Sequence, residues 1–132
     1  MSHAYNTVLK LKKALLDQTA PVQNTWYTVL NTAAFVRLYS VVFRVNTTGE
    51  NLEVKLTMDG ETVTHAIAAV ADAHNYLILY MRYDGWQTLV TATATSGGTL
   101  MVYDVRSLKV EIRKTSAAGA GTIRCGVAYS QV

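Results

Sequence analysis

Residues 107–129 constrain the fold more than any other stretch. They read Ser107-Leu108-Lys109-Val110-Glu111-Ile112-Arg113-Lys114, then a run of small residues, then Thr122-Ile123-Arg124-Cys125-Gly126-Val127-Ala128-Tyr129. Both arms alternate with a period of two. Leu108, Val110 and Ile112 share one face, and Ile123, Cys125, Val127 and Tyr129 share one face of the second arm. This spacing predicts two strands, each with an apolar and a wet side, and the short gap between them predicts a hairpin. Such a hairpin cannot stand alone in water, so another sheet must cover its apolar face.

The remainder of the chain supplies the strands for that sheet. Residues 24–30 place Trp26, Thr28 and Leu30 on one face and Tyr27 and Val29 on the other, and residues 31–34 read as a turn. Residues 35–45 form the longest run, with Phe35, Arg37, Tyr39, Val41, Phe43 and Val45 on one face. Apolar residues on both faces predict a central strand covered on both sides. Residues 52–58 alternate cleanly, and Asp59-Gly60 is the strongest short hairpin signal in the chain, because both residues tolerate positive φ. Residues 61–68, 76–83, 86–95 and 99–105 continue in the same manner, with Asp84-Gly85 and Ser96-Gly97-Gly98 as breaks. Turn signals every eight to twelve residues or so predict an all-β fold, an antiparallel β-sandwich of about eight strands in jelly-roll or related Greek-key order.

Residues 1–20 read differently. Val8, Leu11 and Leu15 recur at helical spacing beside Leu9 and Leu16, with Lys10, Lys12 and Lys13 between them. An N-terminal arm lying on a neighbour and a short amphipathic helix both fit. Pro21, the one proline, ends the segment. The expected organisation is therefore an arm or helix over 1–20 and a sandwich domain over 21–132.

Composition narrows function more by exclusion than by assignment. A net charge of +3 is not the dense basic stripe of a nucleic-acid binder. No apolar run approaches the ~20 residues of a membrane-spanning helix, and the N-terminus lacks the pattern of a signal peptide. Charged residues make up 16% against a usual ~25%, while hydrophobic residues make up 50%. Fewer charges leave more surface for other copies of the chain to cover, which favours an oligomer.

Chemistry finds little support. Asp72, His74 and His65 are the nearest approach to a metal site, but a proper site needs three or four converging ligands. Cys125, the one cysteine, lies on an apolar strand face between Ile123 and Val127, where a thiol acts as a small hydrophobe. Gly97-Gly98 and Gly119-Ala120-Gly121 lack the lysine and helix of a phosphate loop. No cofactor or catalytic set is expected, and the chain reads as a non-enzyme. Two aromatic groups, Trp26 with Tyr27 and Tyr83 with Trp86, suit a sugar platform, a subunit interface or the core.

Three segments carry a resemblance. Trp26-Tyr27-Thr28-Val29-Leu30, residues 51–62 from Asn51-Leu52-Glu53-Val54 to Asp59-Gly60-Glu61-Thr62, and residues 107–116 are similar in phrasing to small β-sandwich virion proteins of tailed bacteriophages, the capsid decoration and head or tail accessory proteins. The resemblance implies a structural role in the virion, commonly as a homotrimer on a lattice of major capsid protein, after synthesis in the host cytoplasm. It brings no catalytic residues. Expected interface residues are Val8, Leu11, Leu15 and Leu16 of the arm and the aromatics Trp26, Tyr83 and Trp86. The alternative is a tail accessory module that binds a receptor or a glycan through Tyr83 and Trp86.

Overall fold

The computed structural model describes residues 10–45, 51–68, 75–83, 85–91, 103–116 and 121–131. They form ten strands: β1 (Lys10–Thr19), β2 (Tyr27–Thr32), β3 (Val36–Val45), β4 (Asn51–Met58), β5 (Glu61–Ala68), β6 (Asn75–Arg82), β7 (Gly85–Thr91), β8 (Tyr103–Val105), β9 (Leu108–Lys114) and β10 (Thr122–Gln131). Two antiparallel sheets result. Sheet A runs β1-β10-β3-β6-β7, with β8 also on β3, and sheet B runs β2-β9-β4-β5.

The order is a nest. β1 pairs with β10 in sheet A, β2 with β9 in sheet B, β3 with β6 in sheet A, and β4 with β5 in sheet B. Four strand pairs that alternate between two facing sheets are a jelly roll. These eight strands meet the expected count, and β7 and β8 are additions to sheet A within the connection from β6 to β9.

The core lies between the sheets. Sheet B contributes Leu52, Val54, Leu56, Leu108, Val110 and Ile112, and sheet A contributes Val36, Leu38, Val41, Phe43, Ile123 and Val127, all essentially without exposed surface. Each was spaced by two in the sequence, except where β3 changes phase. There Leu38 pairs with Tyr129 but Ser40 pairs with Ala128, so Tyr39 is an extra residue opposite β10. Such a bulge flips the alternation. Val36 and Leu38 therefore join Val41 and Phe43 inside, although strict alternation places them on opposite faces. β3 is central, as expected, but its second face carries half-exposed Arg37, Val42 and Arg44 and is not fully covered. Val29 does the same in β2, where Tyr27 and Leu30 both turn to the core. Strand β2 also continues through Asn31 and Thr32, which read as a turn.

Two further expectations are corrected. The stretch over residues 107–129 is not a hairpin. Its arms, β9 and β10, lie in opposite sheets, and their apolar faces meet across the core. Seven residues separate them, at most ~23 Å of chain, and the sheets of a sandwich stack ~10 Å apart. The gap is long enough to cross. Residues 10–19 are neither helix nor free arm. They form β1, paired residue for residue with β10 from Lys10↔Gln131 to Thr19↔Thr122. Leu16 and Ala14 pack on the core while Leu11 and Leu15 face out. A ten-residue ladder of backbone hydrogen bonds outweighs the weak helical spacing.

The turns hold the layers in place. Asp59 and Gly60 adopt φ of 51° and 86°, the two positive values of a tight hairpin turn, and Met58 faces Glu61 across it. The Asp59 carboxylate then reaches out of its own hairpin. It accepts hydrogen bonds from the backbone N–H groups of Arg106 (2.7 Å) and Ser107 (3.1 Å), at the junction of β8 and β9. On the far side of that junction, Arg37 grips Asp104 through two nitrogens at 2.7 and 3.1 Å, clasping β8 to β3.

Candidate interaction surface

Sheet A presents its outer face at β1, β10 and β3. Leu11 and Leu15 are 76% and 70% exposed there, on an edge strand. Leu15 does not project freely. Its side chain leans across Gly126 of β10 toward Val42 of β3, so closely that a Cβ at position 126 would lie 3.1 Å from Leu15 Cδ2 and 3.3 Å from Val42 Cγ1. Glycine is favoured here by the close approach rather than by backbone conformation, since a Cβ would make Leu15 and Val42 give way by a few tenths of an ångström. The result is a shallow, mostly apolar groove of about 230 Å³ over Leu15, Gly126 and Val42. Asp17 and Arg124 form an exposed ion pair at its rim, 3.3 Å apart. Nothing in this groove is reactive. Cys125 borders it but is 3% exposed, and burial pushes its thiol up to about 12, so it stays protonated.

The outer face of sheet B differs. The residues expected to be wet are tied to one another. Arg113 Nε donates to Glu53 Oε1 at 2.8 Å, and Glu111 forms ion pairs with Lys55 at 3.4 Å and Lys109 at 3.7 Å. Glu111 is only 8% exposed. Strand pairing puts Glu53 opposite Arg113 and Lys55 opposite Glu111, so opposite charges meet directly across the ladder. Trp26 lies over this lattice, with Lys55 Nζ 4.1 Å and Arg113 Cζ 4.4 Å from its ring centre. These cations engage the ring's π face. Lys114, which shares the face of Leu108, Val110 and Ile112, is buried on the core-facing side of β9.

The other expected residues are placed as follows. Tyr83, in the turn between β6 and β7, is 99% exposed. Trp86 pairs with Met81 in the same hairpin, so both aromatics belong to one end of it. Leu16 is turned inward, and Val8 lies outside the described residues. His65, in β5, is partly buried, and desolvation lowers its pKa. Asp72 and His74 lie outside the described residues, and among the described residues no three His, Cys, Asp or Glu side chains converge. No described helix is long and apolar enough to cross a membrane.

Gly126, Val42, Asp17 and Arg124 were not singled out from the sequence. Their one visible signal was the glycine interrupting an otherwise bulky strand, which often marks a close approach.

No protein-family model and no curated protein matches the chain. Solved structures give only distant likenesses. The VP2 subviral particle of infectious bursal disease virus is 14% identical with a TM-score of 0.43, over 94% of this chain and 32% of that one. The Gx strain of the same virus is 14% identical with a TM-score of 0.41, over 95% and 33%. The virus-like particle of the giant freshwater prawn extra small virus is 12% identical with a TM-score of 0.35, over 96% and 82%. The chain thus spans about a third of the length of the bursal disease virus proteins it matches.

Proposed function

We propose that this chain is a non-enzymatic structural protein of a virion, and more narrowly one that decorates and stabilises the head lattice of a tailed bacteriophage. The observation that supports this is the outer face of sheet A. Leu11, Leu15 and an apolar groove stand exposed on the outer face of the sandwich, with no reactive group beside them. Such a face suits adhesion. Bound between lattice subunits, it would stabilise the assembled shell by mass action. The partners on this reading are the major capsid protein and further copies of the chain. The homotrimer implied by the resemblance belongs to the same proposal, as do synthesis in the host cytoplasm and a contact through Val8.

The test is co-sedimentation of the purified protein with undecorated heads. The wild type should pellet with heads, and the double variant Leu11→Ser, Leu15→Ser should remain in solution with an unchanged circular dichroism spectrum. Equal binding by the folded double variant would remove this face from the reading, and a wild type that never pellets would end the decoration role. A second reading is favoured by the full exposure of Tyr83 on the hairpin that carries Trp86. This is a tail accessory module binding a glycan or receptor, and it requires sugar-array binding that Trp86→Ala abolishes.

A further inference from the structure

We infer that β1 is a self-pairing edge, through which two copies of the chain join their A sheets into one continuous sheet about a two-fold axis. This inference stands on β1 alone and does not need the virion reading.

β1 is bonded to β10 along one side over all ten residues, and among the described residues no strand lies along its other side. An edge of this length offers a row of unpaired N–H and C=O groups to another chain. Natural edges are often guarded by lysine, and Lys10, Lys12 and Lys13 fit that description. The two exposed leucines beside them do not, since a guarded edge has no use for apolar side chains facing water. What decides between guarding and pairing is the order of the charges.

Antiparallel pairing about a two-fold axis normal to the sheet keeps both outer faces on one side. Only residues whose numbers differ by an even amount can then face each other. Centring the pair on Leu15 places Leu15 against Leu15, Lys13 against Asp17 twice, and Leu11 against Thr19 on the outer face. On the inner face Ala14 meets Leu16 and Lys12 meets Gln18. Every charged outer residue thus faces its opposite, and the central leucines face each other. Neighbouring registers fail this test. Centring on Lys13 sets two lysines face to face, centring on Ala14 sets Leu11 against Asp17, and centring on Leu16 sets Leu15 against Asp17. A strand that reads as its own charge complement in one register, and in that one alone of these four, specifies a second copy of itself, and a self-complementary patch is what a two-fold interface requires. Asp17 can take the new partner because its contact with Arg124 is exposed on both sides and weakly held.

Sedimentation velocity of the isolated protein tests the inference. The wild type should form dimers at micromolar concentration. Asp17→Lys turns both facing pairs repulsive and should weaken the dimer about tenfold or more. The double swap Lys13→Asp, Asp17→Lys restores opposite charges and should recover the dimer. Cross-linking checks the register without relying on charge. Leu15→Cys should form a disulfide-linked dimer under mild oxidation, whereas Leu11→Cys, equally exposed, should not, because its counterpart would lie about 26 Å away. A monomeric wild type overturns the inference. So does an oligomer, trimeric or otherwise, that is indifferent to Asp17→Lys, a charge swap that fails to recover pairing in a folded protein, or cross-linking as fast through position 11 as through position 15.

Discussion

Replacing Asp59 should cost more than any other single substitution in the described turns, because this residue ties the β4–β5 turn to the junction of β8 and β9. Its backbone sits at φ 51° beside Gly60, and its carboxylate holds the N–H groups of Arg106 and Ser107 at 2.7 and 3.1 Å. The site is solvent-exposed, so each bond is taken at about 1 kcal/mol, as for a side-chain oxygen capping an exposed helix. Alanine loses both bonds, about 2 kcal/mol. It also occupies the left-handed region at a further cost of about 1 kcal/mol, which totals about 3 kcal/mol. Asparagine tolerates that region and keeps an acceptor oxygen, so Asp59→Asn should cost about 1 kcal/mol, the difference between charged and neutral bonding. Glycine relieves the backbone but keeps neither bond, so Asp59→Gly should fall between, near 2 kcal/mol. Urea denaturation of the three variants should give the order Asn, Gly, Ala, and Asp59→Ala should melt roughly 10 °C below the wild type. Hydrogen exchange adds a local readout. The amides of Arg106 and Ser107 should exchange faster in Asp59→Ala while those in the middle of β9 do not change. Equal costs for Ala and Asn, or unaltered exchange at the two amides, would refute the tie between the β4–β5 turn and the β8–β9 junction.

Two further outcomes follow from buried groups. Burial lowers the pKa of His65, so the folded protein favours its neutral ring while the unfolded chain takes up a proton near pH ~6.5. The stability it contributes is full above that pH and falls as pH drops through it toward the lower folded value, so the urea midpoint should decline as pH falls below about 6.5. His65→Gln should flatten that decline, and an unchanged slope would assign it elsewhere. Cys125 should resist thiol reagents in the native protein and react at once in guanidinium, given a thiol pushed to about 12 by complete burial. Cys125→Ser should then cost about 1–3 kcal/mol for a hydroxyl placed in an apolar site, and native reactivity equal to a free thiol would contradict the core placement.

The interface residues expected from helical spacing separate once β1 is seen as a strand. Leu11 and Leu15 remain outside, and Leu16 turns in because neighbours along a strand point to opposite faces. Helical and strand spacing agree on Leu11 and Leu15, four apart, and disagree on Leu16, which is why the sequence alone could not assign it. Trp26 was legible as an aromatic in a β context. The cations that engage it come from β4 and β9, 29 and 87 residues further along the chain, and no local pattern announces them.

What the sequence by itself determined was local. Alternation marked nearly every strand, the Asp59-Gly60 pair marked its turn, and the apolar face of each arm in residues 107–129 proved to be a core face. These follow from side chains taking turns on either side of an extended backbone and from the few residues that tolerate positive φ. Tertiary structure decided everything that depends on a partner. It sent β9 and β10 to opposite sheets, drew residues 10–19 into sheet A, and inserted Tyr39 and Val29 as bulges that reverse the faces beyond them. The physical reason is that a strand's own residues set which side is apolar, whereas its neighbours are chosen by the packing and hydrogen bonding of the whole chain.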